Sequence, residues 1–182
     1  TILDLIMAHR RILTTGQRRA LFGLPEDEAE CARYYTLSEE DLRRINQRRK
    51  PENRLGFTLQ LCALRYPGRL LSPGELIPEA MVRLVASQTG DRWWEIENYG
   101  IRENTRYEHS TALQDEYGYQ PFMDAARAGM IEWLNTAAIG TVNPSVLAEA
   151  FMAALRDTKV IAPAISTFER LCSAALVNAE RY

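Results

Sequence analysis

Apolar residues in this chain recur three and four positions apart in segment after segment, and Gly or Pro cuts each segment off after about ten to twenty residues. A strand needs alternation of period two, and no run of it persists. The pattern therefore predicts an all-α, multi-helical fold of short packed helices. With 182 residues, 46% hydrophobic and 25% charged, the chain can bury one core or two small ones, far from the composition of disordered proteins. It opens on Thr1 and TILDLIMA, too short to cross a bilayer and with no basic stretch ahead of it. That reads as a soluble fragment of something larger, without a signal peptide or membrane anchor. Cys31, Cys62 and Cys172 lie far apart and form no C-x-x-C, which argues against a disulfide framework or zinc site and for a reducing cytoplasm.

Local signals set the expected elements. Thr14 or Thr15 caps a first helix through about Phe22, with Ile12, Leu13, Ala20, Leu21 and Leu24 as its apolar contacts, and Gly23-Leu24-Pro25 stops it. Pro25 is expected near the first turn of a second helix, with Glu26, Asp27 and Glu28 at the positive end of its dipole. Ser38-Glu39-Glu40-Asp41 has capping-box form and opens a third helix to about Arg49. A strongly apolar fourth helix, about Glu52 to Tyr66, reads as core. Pro67-Gly68-Arg69 and Ser72-Pro73-Gly74 then break the chain twice, the expected boundary between modules at 1–70 and 75–182. Further helices are expected at about 78–89, 101–117, 122–138, 144–157 and 164–181, with a short one at Trp93 and Trp94, which cannot share a helix face, so at least one is expected in the core and the other partly exposed, core being the default for both.

Charge is what makes these helices informative. A net charge of -2 conceals 13 Arg and Lys against 9 Asp and Glu in residues 1–70, and 9 against 15 thereafter. Of the 22 cations 20 are arginine, whose planar fork pairs with phosphates and guanine edges; a GC-rich genome produces the same bias, so position has to decide. On the third helix Leu42 and Ile45 form a narrow apolar seam between rows of Arg43, Gln47 and Lys50 and of Arg44 and Arg48, the make-up of a helix-turn-helix recognition helix. Arg43, Gln47 and Arg48 are expected at base edges or adjacent phosphates, and Arg18, Arg19, Arg44, Lys50 and Arg54 on the DNA backbone. His9-Arg10-Arg11 is expected as an arm. Glu39, Glu40 and Asp41 repel phosphates, so contacts should begin at Arg43. Arg69 beside Gly68 is either a minor-groove arm or an exposed linker arginine. Arg102, Arg106 and His109 make a further row, for which pairing with Glu103, Glu108 or Glu116 competes with DNA. An ordinary solvated charged face is the bland alternative throughout. No phosphate loop, H-E-x-x-H or G-x-S-x-G is present, and His9 and His109 stand in no motif, so neither catalysis nor a metal or cofactor is expected in this segment.

Several blocks also carry a resemblance: Arg11-Ile12-Leu13-Thr14; Arg33-Tyr34-Tyr35-Thr36-Leu37-Ser38; Asn53-Arg54-Leu55-Gly56-Phe57 running into Gln60-Leu61-Cys62-Ala63-Leu64-Arg65-Tyr66-Pro67-Gly68-Arg69; Thr105-Arg106-Tyr107-Glu108-His109; and Tyr117-Gly118-Tyr119. Together, over about residues 10–122, they resemble the N-terminal region of Tn-three family transposases, while the tail after about 125 has only general similarity. The resemblance implies that the chain binds double-stranded DNA, the terminal inverted repeats of a mobile element, through two helix-turn-helix-like modules. It places the chemistry in an RNase H-like domain far downstream, with Mg expected only there, and self-association in the full-length transposase. It further implies a bacterial cytoplasmic, nucleoid-associated protein. Tyr35 stands where His is expected and Tyr107 where Arg is expected, which removes a phosphate contact at the latter. Two other classes stay open: a helical protein-interaction or dimerisation module, and a small-molecule regulator with an apolar cavity lined by Trp93 or Trp133.

Overall fold

Residues 11–99 and 103–181 are described by the computed structural model, and within them the chain is helical with no strand. The elements are α1 (Thr15–Phe22), α2 (Glu28–Tyr35), α3 (Glu39–Ile45), α4 (Pro51–Arg65), α5 (Glu79–Thr89), a 3-10 helix (Trp93–Asn98), α6 (Glu103–Tyr117), α7 (Asp124–Ile139), α8 (Pro144–Asp157) and α9 (Ile165–Ala179). Among them no helix is long and apolar enough to cross a membrane.

Caps explain the starts. In α1 the Gln17 N–H donates to Thr14 Oγ1 at 3.1 Å and the Thr14 N–H to Gln17 Oε1 at 2.9 Å. In α3 Ser38 and Asp41 exchange the same pair of bonds, at 3.1 and 2.9 Å. The second helix begins at Glu28 and not beside Pro25, because the Asp27 carboxylate takes the Glu30 N–H at 2.9 Å and so marks the cap. The third helix ends at Ile45, short of the expected Arg49. Pro51 disfavours helical backbone at the residue before it, and Lys50 is extended (φ -94°, ψ 136°). The chain leaves α3 through tight turns in which Gln47 and Arg48 donate to the Arg44 and Ile45 carbonyls.

Two compact units emerge, but not with the expected boundary. A mid-chain unit covers Leu24–Tyr119, and a flanking unit joins the stretch through Gly23 to Gln120 onward. The double break at 67–74 lies inside the mid-chain unit. There the Leu71 side chain is 5% exposed, its N–H donates to Gln60 Oε1 at 2.9 Å, and its carbonyl accepts from Arg106 at 2.7 Å. Gly and Pro marked a stapled turn and not a linker.

In the mid-chain unit α4 is buried all round from Leu55 to Leu64, as a helix with little polar surface must be. Leu55, Leu59, Cys62 and Ala63 pack with Cys31 and Tyr35 of α2 and with Met81, Val82, Val85 and Ala86 of α5. Gly56 has a specific reason to be glycine: a Cβ there would lie 2.1 Å from the Tyr99 ring. The flanking unit packs α7, α8 and α9 around Phe151, which stacks on Phe168 at 4.9 Å, and α1 adds Phe22 edge-on to Phe168 at 5.1 Å. Trp94 is 48% exposed, as one of the two tryptophans was expected to be, and Trp93 is only partly buried against its neighbours, short of the core place expected for the other.

Candidate nucleic-acid interface

α2 and α3 are joined by Thr36-Leu37-Ser38, and that connection is held from below. Gln88 on α5 accepts the Leu37 N–H at 2.8 Å and donates to the Tyr35 carbonyl at 2.9 Å. Asp41 fixes the underside of α3. It is buried, accepts the Arg65 fork at 2.8 and 2.8 Å, and takes the Tyr117 hydroxyl at 3.0 Å. Burial alone would raise the Asp41 carboxyl; the Arg65 fork, the Ser38 N–H and Tyr117 outweigh it and hold the group well below the usual carboxylate range. With Asp41 and Ile45 inward, Glu39 and Arg43 face solvent.

Most of the arginines expected on DNA have partners inside their own unit. Arg18 forks onto Glu169 at 3.0 and 3.1 Å with its side chain 18% exposed. Arg44 donates to Glu40 Oε1 at 2.9 Å and to the Glu116 carbonyl, and lies over the Tyr117 ring. Arg48, 14% exposed, sits over the Phe57 ring at 3.2 Å and donates to Glu116 Oε1. Arg54 clamps Asp91 and donates to the carbonyls of Arg48 and Arg49 at 3.0 Å, fixing the turn that precedes α4. Arg69 forks onto Glu75, and Arg106 holds the Leu71 carbonyl. Each has long-range or loop-closing partners that the helix-face pattern does not encode. His109 belongs with them and not to an outward row. It is buried between Phe57 and Tyr99, its Nδ1 is 3.0 Å from the Tyr99 hydroxyl, and burial, then the Arg48 charge, push its pKa down to about 4.

What remains exposed is a short run at the end of α3 and the turn after it: Arg43, Gln47, Arg49 and Lys50. Arg49 and Lys50 make no salt bridge among the described residues, and Lys50 occupies the N-cap of α4 without a side-chain capping bond. Their charges thus sit at the positive end of a 15-residue helix dipole, opposed only by Glu52 in its first turn. Arg49 is the residue that sequence reasoning missed. A helix continued to position 49 turns it onto the apolar face, whereas the restriction imposed by Pro51 was the available signal that the helix stops sooner. In the flanking unit Arg11 and Arg19 are exposed. The expected contacts at Arg10 and Arg102 lie outside the described residues. Tyr107 is 76% exposed on α6, and Tyr35 is buried with its hydroxyl on the Tyr66 carbonyl at 2.7 Å.

Among the described residues no three His, Cys, Asp or Glu side chains are placed to hold a metal. All three cysteines are buried, and desolvation pushes the Cys62 and Cys172 thiols up to about 12, away from reactivity. Trp93 borders an open groove of about 380 Å³ with Leu71, Ile77 and Ile96, not a closed cavity.

The family model described as a domain of unknown function (DUF4158) matches residues 12–175. Among curated proteins the chain is 39% identical to the transposase for transposon Tn21 of Escherichia coli over 177 residues, 96% of this chain. It is 38% identical to the transposase for transposon Tn501 of Pseudomonas aeruginosa, again over 96% of its length, and 35% identical to that for Tn1546 of Enterococcus faecium over 94%. The chain spans only 17–18% of the length of these relatives and corresponds to their N-terminal region.

Proposed function

We propose, from the premise that this chain belongs to the DUF4158 family and is homologous to Tn-three family transposases, that it is the part of a transposase that recognises the terminal inverted repeats of its element as double-stranded DNA. The relatives support a role in transposition. Repeat binding is our reading, and one observation carries it: Arg43, Gln47, Arg49 and Lys50 are exposed together at the end of a helix whose approach turn is clamped by Gln88. In this reading α2 and α3 act as a helix-turn-helix pair. Arg43 and Gln47 reach base edges, and Arg49 and Lys50 grip phosphates beside the α4 N-terminus. Arg11 and Arg19 of the flanking unit add backbone contacts. Arg18, Arg44, Arg48, Arg54, Arg69 and Arg106 build the scaffold that presents these groups. Catalysis and any Mg site are assigned to the downstream part of the transposase, and the working location to the bacterial nucleoid.

The test is a salt titration of the chain with a duplex carrying the terminal inverted repeat of its own element and with a random duplex. Tighter binding to the repeat is expected, together with a log–log salt slope reporting a few phosphates at about 0.9 each. Equal binding to both duplexes refutes repeat recognition. A protein-interaction role has its own observation in the flanking unit, where Ile139, Val142 and Val146 are 63%, 98% and 51% exposed. It predicts concentration-dependent association of the chain without DNA, measured by sedimentation.

A further inference from the structure

The surface proposed to face DNA begins with two carboxylates, Glu39 and Glu40, a poor choice for gripping phosphates. Glu40 is not idle there. Its Oε1 accepts from Arg44 Nε at 2.9 Å, and its Oε2 pairs with Arg43. Arg44 is anchored a second time, by the Glu116 carbonyl and the Tyr117 ring. Arg43 is in a different position: its side chain is 74% exposed, and Glu40 is its ion-pair partner among the described residues. The hydrogen bond from Arg44, then the Arg43 charge, keep the Glu40 carboxyl below its ordinary range, so it remains an anion at any physiological pH.

A phosphate and a guanine edge make different demands on such a pair. A phosphate is present at every register of every duplex. To take it, Arg43 has to bring the Glu40 carboxylate close to a second anion or give up the pair. A guanine edge is neutral and offers two acceptors, O6 and N7, and the guanidinium has five donors. It can keep one N–H on Glu40 and direct others to the base.

We infer that Glu40 is a specificity-determining residue of the DNA surface: by holding Arg43 it withholds that guanidinium from phosphates and leaves it usable on a base edge, which suppresses binding to the wrong sequence. The inference rests on the DNA-binding reading above. It also turns the acidic start of α3 from a defect of that surface into part of its design.

The experiment compares the wild-type chain with Glu40→Gln, Glu39→Gln, Arg43→Gln and the Glu40→Gln/Arg43→Gln double variant, each titrated with inverted-repeat and random duplex over a salt series. Thermal melts establish that each is folded. Glu40→Gln is expected to bind random duplex more tightly, by up to about fivefold. Its salt slope should steepen by about 0.9 as one more cation becomes available to phosphates, and its preference for the repeat should fall. Glu39→Gln removes the same charge from the same turn without releasing Arg43 and should change the preference much less. In the Arg43→Gln background the effect of Glu40→Gln on the preference should vanish. A Glu40→Gln variant with wild-type preference and slope overturns the inference alone, as does an effect of equal size without Arg43 or in Glu39→Gln. Failure of the wild-type chain to distinguish the duplexes overturns the DNA reading and this inference together.

Discussion

Replacing Asp41 by Asn should cost this protein more than the loss of any surface arginine. The Asp41 side chain is 4% exposed and is surrounded by the Arg65 fork at 2.8 and 2.8 Å, the Tyr117 hydroxyl at 3.0 Å and the Ser38 N–H at 2.9 Å. Asn keeps the shape and one acceptor, but its NH₂ group faces a donor and the Arg65 charge loses its counterion. Breaking a fully buried pair this way costs about 3–5 kcal/mol. Arg65 is 31% exposed, so water reaches the abandoned guanidinium and the lower end, about 3 kcal/mol, is expected. That corresponds to a fall in Tm of roughly 6–12 °C for a chain of this size. The pH dependence is equally specific. The folded-state carboxyl is depressed, so its stabilisation is complete above the unfolded pKa of about 3.9 and is lost as pH falls below that value toward the folded one. Urea midpoints at neutral pH and across pH 5 to 2 check both statements. A loss below about 1 kcal/mol at neutral pH, or acid limbs that run parallel in wild type and variant, would refute the reasoning.

Five other substitutions separate scaffold from surface. Gly56→Ala should destabilise by about 1–3 kcal/mol in a thermal melt, because the 2.1 Å approach of its Cβ to the Tyr99 ring outweighs alanine's better helix propensity. Arg54→Ala should lower the melting temperature, since it strands Asp91, whose side chain is only 5% exposed, whereas Arg49→Gln and Lys50→Gln should leave the melt unchanged and reduce the DNA salt slope by about 0.9 each. The neutral, buried His109, with its pKa pushed down to about 4, makes folding less favourable as pH drops from about 6.5, where the unfolded imidazole takes its proton, toward 4. His109→Gln should flatten denaturation midpoints over that window while leaving the Asp41 limb below it.

Helix existence was readable because it is written locally. Thr14, one of the two caps considered, opens α1, Ser38 with Asp41 caps α3 as their spacing foretold, and α8 runs over Pro144–Asp157 as expected from its flanking turn residues. What local spacing does not carry is a partner from elsewhere. Arg18 looked free on a short helix because Glu169 lies 151 residues away, and Arg48 because Glu116 lies 68 away. In the most recognisable block, Asn53 to Arg69, the apolar spacing already marks a core helix, and what it does not show is the partner of each member: Gly56 admits Tyr99, Phe57 carries Arg48, Gln60 staples Leu71 and Arg65 neutralises Asp41. The exposed cations that carry the proposed function sit where local signals are weakest, in a turn after a helix that ends early.

The discontinuous make-up of the flanking unit sets an order of assembly. The Leu13 N–H donates to Glu169 across 156 residues and Phe22 packs on Phe168, so these two contacts cannot form while the mid-chain unit is being made. An eight-residue helix is too short to persist alone in water. About a hundred residues separate the end of α1 from the start of α7, on the order of 5–20 s of synthesis. Leu13 and Phe22 therefore wait out that interval for Glu169 and Phe168, and the flanking unit is expected to close only once α9 has been made.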